Sequence, residues 1–403
     1  MLFTSSVSRA TDSGTMALKK SILAVLAFGL AVGGWGLHRQ SHFVQPVRGA
    51  DARQMEAAQE IRLPIKIPIF IVKYFPVDGE RIDIKVTGDW GEPLAVTRQK
   101  TERITQQAIR ALEQGSRYHG YGIENARPSL EYQIMGVKEF LKPLPVQPKR
   151  PGDRVSMTDY ARIMAEIDIE TWVEEKGVKE VWLFGYHGDV VGLWESNMSS
   201  PYGDVSNSDR DPNDLPVLSR TYTVYHYNYQ RDVGEAVEDH THQIEHLLNY
   251  VDGRDNTPPD RWPDLLFWGK FVGSDVSHKM VPVRTPDGRQ VYRCGWTHYA
   301  PNSEGDYDWA NPRTVETDIE DWRPDGIGKT RTIDCNRWQS NDLKWKIYWM
   351  QNLPGANNRL IFKGKRLINW WLFKGDWDYT VTKKVRLVEG QADDLAGTRQ
   401  GAQ

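Results

Sequence analysis

LPIKIPIFIVKYFPV, Leu63 to Val77, is apolar, rich in β-branched residues and opened by a proline. That composition makes a buried strand. RIDIKVTG (81–88) alternates and reads as an added strand. TRQKTERITQQAIRALEQGSRYHG (97–120) then has helical apolar spacing and a glycine stop. SLEYQIMGVKEF (129–140) is the next strand, and MTDYARIMAEIDIETWVEEKG (157–177) a second helix with Gly177 at its C-cap position. KEVWLFGYHG (179–188) is a hydrophobic strand ended by Gly185 and Gly188. Strand, helix, strand, helix, strand argues for βαβ units on one sheet, an α/β fold with α+β as the alternative.

Beyond Val190 the texture changes. ESNMSSPYGDVSNSDRDPNDLP (195–216) is a polar loop, and TYTVYHYNY (221–229) a Tyr/Thr strand. A helix around Glu238 follows, then the turn-rich VDGRDNTPPDRWPD (251–264). Residues 280–380 are loop-heavy and tryptophan-rich, with WKIYWMQNLPG (345–355) as a helix ending in a Pro-Gly turn.

The 403 residues are 26% charged and 39% hydrophobic, an ordinary globular balance with room for a large core. A net charge of −3 and the lack of a basic stripe give no case for nucleic acid. Tryptophan is in excess at 16 residues. Indoles pack cores and also stack on sugar rings, with core packing the simpler reading.

Lys19 and Lys20 precede SILAVLAFGLAVGGWGL, Ser21 to Leu37. A positive flank before such a run suggests a signal peptide or an N-terminal membrane anchor. The nearest small-residue cleavage site, Gly49-Ala50-Asp51-Ala52, is distant, which favours the anchor. On this reading residues 1–20 are leader, 21–37 the anchor, 38–61 a linker, 62–388 one exported globular domain and 389–403 a disordered tail. The body is then extracytoplasmic, secreted or tethered to the membrane through its N-terminal helix. In such a compartment Cys294 and Cys335 are a plausible disulfide.

EDHTHQIEHLLNY, Glu238 to Tyr250, carries the densest chemistry. On a helical wheel Val237, Thr241, Ile244, Leu248 and Val251 share the core face. Glu235, Glu238, His242, Glu245 and Asn249 form a second stripe, while His240 lies near the apolar face and His246 on a third side. One helix therefore cannot aim all three histidines at one ion. His242 and Glu245, at i and i+3, can both ligate a divalent metal, although the order is not that of the HExxH zinc motif. The plain alternative is a solvated polar face.

His298, in VYRCGWTHYAPNS (291–303), can add a third ligand, as zinc sites need three protein ligands and a water. Glu195, in WESNMSSP just past a strand, lies where α/β sites tend to form. SDRDPND (208–214) resembles a calcium loop only loosely, lacking the glycine and the final glutamate. Phosphate-binding glycine loops and a GxSxG elbow are absent from the sequence.

VWLFGYHG, ESNMSSP, TYTVYHYNYQR, EAVEDHTHQIE, CGWTHYAPNS and DYDWAN together resemble a group of secreted or lipid-anchored bacterial and fungal proteins of no established activity. That group has ESxM, NYxR, HQxE and HxPPN segments in the same order. The resemblance spans residues 62–380 and implies one domain rather than a reaction. Thr241 stands where the group has glycine, and Ala300 where it has proline. It places Glu195, His242, Glu245 and His298 in distinctive segments.

The expectation is a metal-dependent, peptidase-like hydrolase. His242, Glu245 and His298 would be the ligands of Zn2+ or another divalent metal, with Glu195 or Glu238 as general base. The rivals are a metal-free glycan-active protein, with Glu195 paired to Glu235 or Glu245, and a non-catalytic binding protein.

Overall fold

The apolar run after Pro64 forms strand β1 (Ile65–Tyr74), buried along nearly its whole length because it is flanked on both sides. The computed structural model describes residues 63–187, 190–208, 214–285 and 287–390. One neighbour of β1 is β2 (Leu130–Phe140), the other β3 (Glu180–Gly185), and both pairings are parallel. Parallel neighbours need crossovers. Helix α1 (Leu94–Gly115) makes the first and the short α2 (Tyr160–Ile167) lies in the second. Strand β4 (Ser196–Ser199) runs antiparallel to β5 (Tyr222–Asn228), which is parallel to β3. The order is β2-β1-β3-β5-β4, a mixed sheet with helices, so the fold is α/β.

Two local expectations change. RIDIKVTG gives only the two-residue strand Arg81–Ile82 before the chain turns helical, because the Asp83 side chain accepts the N–H of Lys85 and caps a helical turn. The second helix stops at Ile167 rather than near Gly177. Asp168 takes the left-handed conformation (φ 58°) and its N–H closes on Ala165, so the chain resumes as a wider turn over Thr171–Glu175.

Helix α3 (Val233–Asp252) follows β5 and packs against β5, α1 and α4 (Asp342–Met350). Both of its flanks are covered. Glu238, Asp239, His240, His242, Gln243, Glu245 and Asn249 are all buried, so from Glu238 onward the polar stripe is not a solvated face, and only Glu235 at its start is exposed. Of the nine tryptophans from Trp296 onward, seven are buried, which makes core packing the use of the excess.

Cys294 and Cys335 are both buried free thiols, which corrects the expected disulfide. The backbone N–H of Cys294 is fixed to the Phe271 carbonyl at 2.9 Å, while Cys335 accepts the Ser340 hydroxyl at 3.2 Å in a separate helical turn. The membrane partnership is likewise withdrawn: among the described residues no helix is long and apolar enough to cross a bilayer. The expected anchor at 21–37, the linker at 38–61 and most of the tail lie outside the described residues.

Asp252 ends α3 and accepts the N–H groups of Leu266 (3.1 Å) and Phe267 (2.7 Å). Burial pushes its carboxyl up to about 6 against the pull of those donors. The folded state thus binds the proton more tightly than the unfolded chain. The resulting stability is full below pH ~4 and is lost as pH rises through about 6, on the order of 2–3 kcal/mol. Urea unfolding from pH 4 to 7 should show wild type losing stability relative to Asp252→Asn. A constant difference between the two proteins would contradict this.

Candidate metal centre

Helical spacing places Glu238 and His242 on one stripe of α3, one turn apart. His298 reaches them from a tight turn in which the backbones of Trp296 and Tyr299 bond each other twice at 3.0 Å. Gly295 makes that turn possible. Its φ is 75°, and a Cβ there would lie 2.2 Å from the Tyr299 carbonyl oxygen. The turn is tied to its surroundings at both ends. Thr297 donates its N–H (2.6 Å) and hydroxyl (2.7 Å) to Glu245 Oε1 on α3. From α4, the Trp345 and Trp349 indoles donate to the Thr297 and Gly295 carbonyls, each at 2.9 Å. The tryptophan-rich helix therefore sets the position of His298.

His242 Nε2 lies 2.9 Å from His298 Nε2, with the rings edge to face. Glu238 Oε1 is 3.1 Å from His298 Nε2 and 3.9 Å from His242 Nε2. Glu238, His242 and His298 thus form a group able to hold a metal ion, their ligand atoms all within 4.8 Å of one another. The opposite ring nitrogens are occupied. His242 Nδ1 sits 3.1 Å from Glu245 Oε2, and His298 Nδ1 sits 2.9 Å from Asp306 Oδ1. With a carboxylate beside each Nδ1, both Nε2 atoms face the shared point. Carboxylates that orient and polarise imidazoles in this way are the usual outer partners of metal-bound histidine.

The second oxygen of Glu238 is held by Lys346 Nζ at 2.7 Å, a cation on α4 with no exposed side-chain surface. Lys346 also donates to the Gly234 carbonyl at 3.2 Å. Burial pushes the Glu238 carboxyl up, but Lys346 and the bonds to His242 and His298 outweigh it and hold it well below the usual range. Burial would lower His242, yet Glu195, Glu238 and Glu245 push it well above the ordinary histidine value. The surroundings favour positive charge where the two rings meet.

Glu195 Oε2 is 4.0 Å from His242 Nε2, on a side chain 36% exposed, and accepts the Asn207 amide. Tyr307 donates to Glu238 Oε1 at 3.2 Å and packs its ring 4.0 Å from His298. Its backbone is left-handed (φ 57°), unusual for a bulky residue and a form of strain that gathers at functional sites.

The structure brings Glu195, Glu238, His242 and His298 together and changes two roles. Glu245, expected as a ligand, contacts the far nitrogen of His242 and the Thr297 turn. Glu238, expected as a base, belongs to the group able to hold a metal ion. His240 points away, its Nε2 2.5 Å from the Tyr227 hydroxyl. Most of Ser208–Asp214 lies outside the described residues. Lys346, Asp306 and Tyr307 were not foreseen. The signals were a lone lysine among aromatics in WKIYWM and two acids around the tyrosine of DYDWAN. No family model matches the chain, and a search of curated proteins finds no match.

Proposed function

We propose that the protein is a metal-dependent hydrolase of peptide-like bonds, with zinc held by His242 Nε2, His298 Nε2 and Glu238 Oε1. One observation carries the reading. Two imidazole nitrogens face each other at 2.9 Å with a carboxylate oxygen beside both, while carboxylates hold the opposite nitrogens. Two histidines and one carboxylate leaving an open position are a hydrolytic zinc set, and the same donors suit iron(II). Bound zinc would polarise a substrate carbonyl and lower the pKa of a water.

The chain's own groups supply the rest. Glu195, beside the triad and open to solvent, takes the proton of the attacking water and returns it to the leaving amine. Lys346 occupies the second oxygen of Glu238, which restricts that residue to a single donor atom. The Tyr307 hydroxyl turns from Glu238 to the oxygen that gains charge.

Metal-replete protein incubated with a mixed peptide library, with cleavage read by mass spectrometry, tests the reading. Turnover is expected, and Glu195→Gln should keep its metal while kcat falls by roughly 10²–10⁴. No cleavage by metal-replete protein, or full activity in Glu195→Gln, overturns it.

A further inference from the structure

Arg254 follows the C-terminus of α3, beyond the end that carries His246. Its guanidinium sits in a corner between two indoles, 4.3 Å from the Trp268 ring centre and 5.4 Å from that of Trp262. The corner is fixed, since the Trp262 indole donates to the Thr257 carbonyl at 2.9 Å and the two rings meet edge to face. Arginine lies flat on aromatic faces and keeps its donor fork free, which lysine cannot do. Among the described residues the guanidinium makes no hydrogen bond and no ion pair. The nearby carboxylates support its charge without bonding to it: Glu245 is taken by His242 and Thr297, and Asp255 is exposed beside it. The Trp268 indole N–H, buried, has no acceptor either. A partly exposed arginine fork without an acceptor thus lies against the Trp268 ring.

This corner is linked to the metal centre through a chain of aromatic ring contacts. Trp268 lies 6.2 Å from Trp296 and 5.3 Å from His278, and Trp296 stacks 5.2 Å from His298. His246, one helical turn beyond His242, does not neutralise an anion. Burial, together with His242 and Arg254, lowers it to about 4.

We propose that Arg254 anchors a substrate carboxylate, so that the centre acts on peptides with a free C-terminus. The residue at that terminus lies over Trp296. The inference rests on the hydrolase reading for the cleaved bond but not for the anchor. A carboxylate accepts both arms of the fork, whereas an amide offers one neutral oxygen.

The test compares peptides with free and amidated C-termini. It also measures, by titration calorimetry, the binding of N-acetyl-phenylalanine and its amide to wild type and His242→Ala. The free acid is expected to bind about 10- to 100-fold more tightly than the amide in both proteins, and kcat/KM to show the same preference. In Arg254→Ala and Arg254→Gln, each checked for an unchanged circular-dichroism spectrum, the preference should collapse towards one. Equal binding of acid and amide, or a preference that survives both substitutions, overturns the anchor. Carboxylate preference without any peptide cleavage would keep the anchor and remove the hydrolase reading.

Discussion

Glu238→Gln is expected to abolish stoichiometric metal binding while leaving the fold intact. Glutamine keeps the shape of the side chain and can still accept from Lys346 through its oxygen. It then turns an amide group, rather than a charged oxygen, towards the two Nε2 atoms. The loss of a direct ligand should exceed the 10- to 100-fold that an outer partner is worth, so affinity should fall by more than about 100-fold. His242→Ala and His298→Ala should behave the same way. Asp306→Asn and Glu245→Gln hold the rings without touching the shared point, and each should cost about 10- to 100-fold. Competitive chelator titration, with metal content measured after dialysis, gives the whole series. Wild-type protein that takes up no metal from micromolar zinc, or Glu238→Gln that holds a full equivalent, would remove the metal centre. A graded series, ligands far worse than outer partners, is what a preorganised centre predicts and what a surface ion pair would not show.

How much of that centre was legible follows from the reach of each signal. Local patterns carried the sheet, because β1 and β3 are apolar runs, β5 a Tyr/Thr run and β2 a mixed polar and apolar edge strand, each bounded by turn residues. They also carried the stripe of α3, which put both Glu238 and Glu245 beside His242. A wheel cannot show which way an imidazole turns. The ring presents Nδ1 to the residue three ahead and Nε2 to the residue four behind, and this alone separates ligand from outer partner. His298 was foreseen as a residue type, but its position depends on α4 indoles that hold Thr297 and Gly295 from 48 and 54 residues away in the chain. Lys346 was hidden for the same reason. Its charge is explained only by Glu238, which the sequence does not place beside it. The disulfide expectation failed differently. Two cysteines make a pair by arithmetic, but each is held in its own backbone setting.

Lys374→Met should destabilise the protein by about 3–5 kcal/mol, the usual cost of removing one partner of a buried ion pair. Lys374 Nζ lies 2.5 Å from Glu180 Oε1 and 2.6 Å from the Tyr225 hydroxyl, with both charged side chains only 3% exposed. The other oxygen of Glu180 accepts the Trp182 indole at 2.9 Å. Burial lowers the lysine's proton affinity and Glu180 partly restores it. Methionine fills the space but leaves the carboxylate in a medium that does not solvate it. The double variant Lys374→Met/Glu180→Gln removes both charges and should recover most of the loss, since a buried pair is often worth little more than apolar packing. Denaturant unfolding of the four proteins of this cycle gives the coupling directly. A single variant within 1 kcal/mol of wild type would mean that water reaches Glu180. The pair also bears on the metal centre from below. Tyr225 stacks on His240 at 3.8 Å, and His240 belongs to the helix that carries Glu238 and His242. Glu238 and His242 therefore stand on a helix whose sheet-facing side is braced by this charge pair, and zinc added to Lys374→Met should return part of the lost stability by binding only the folded state.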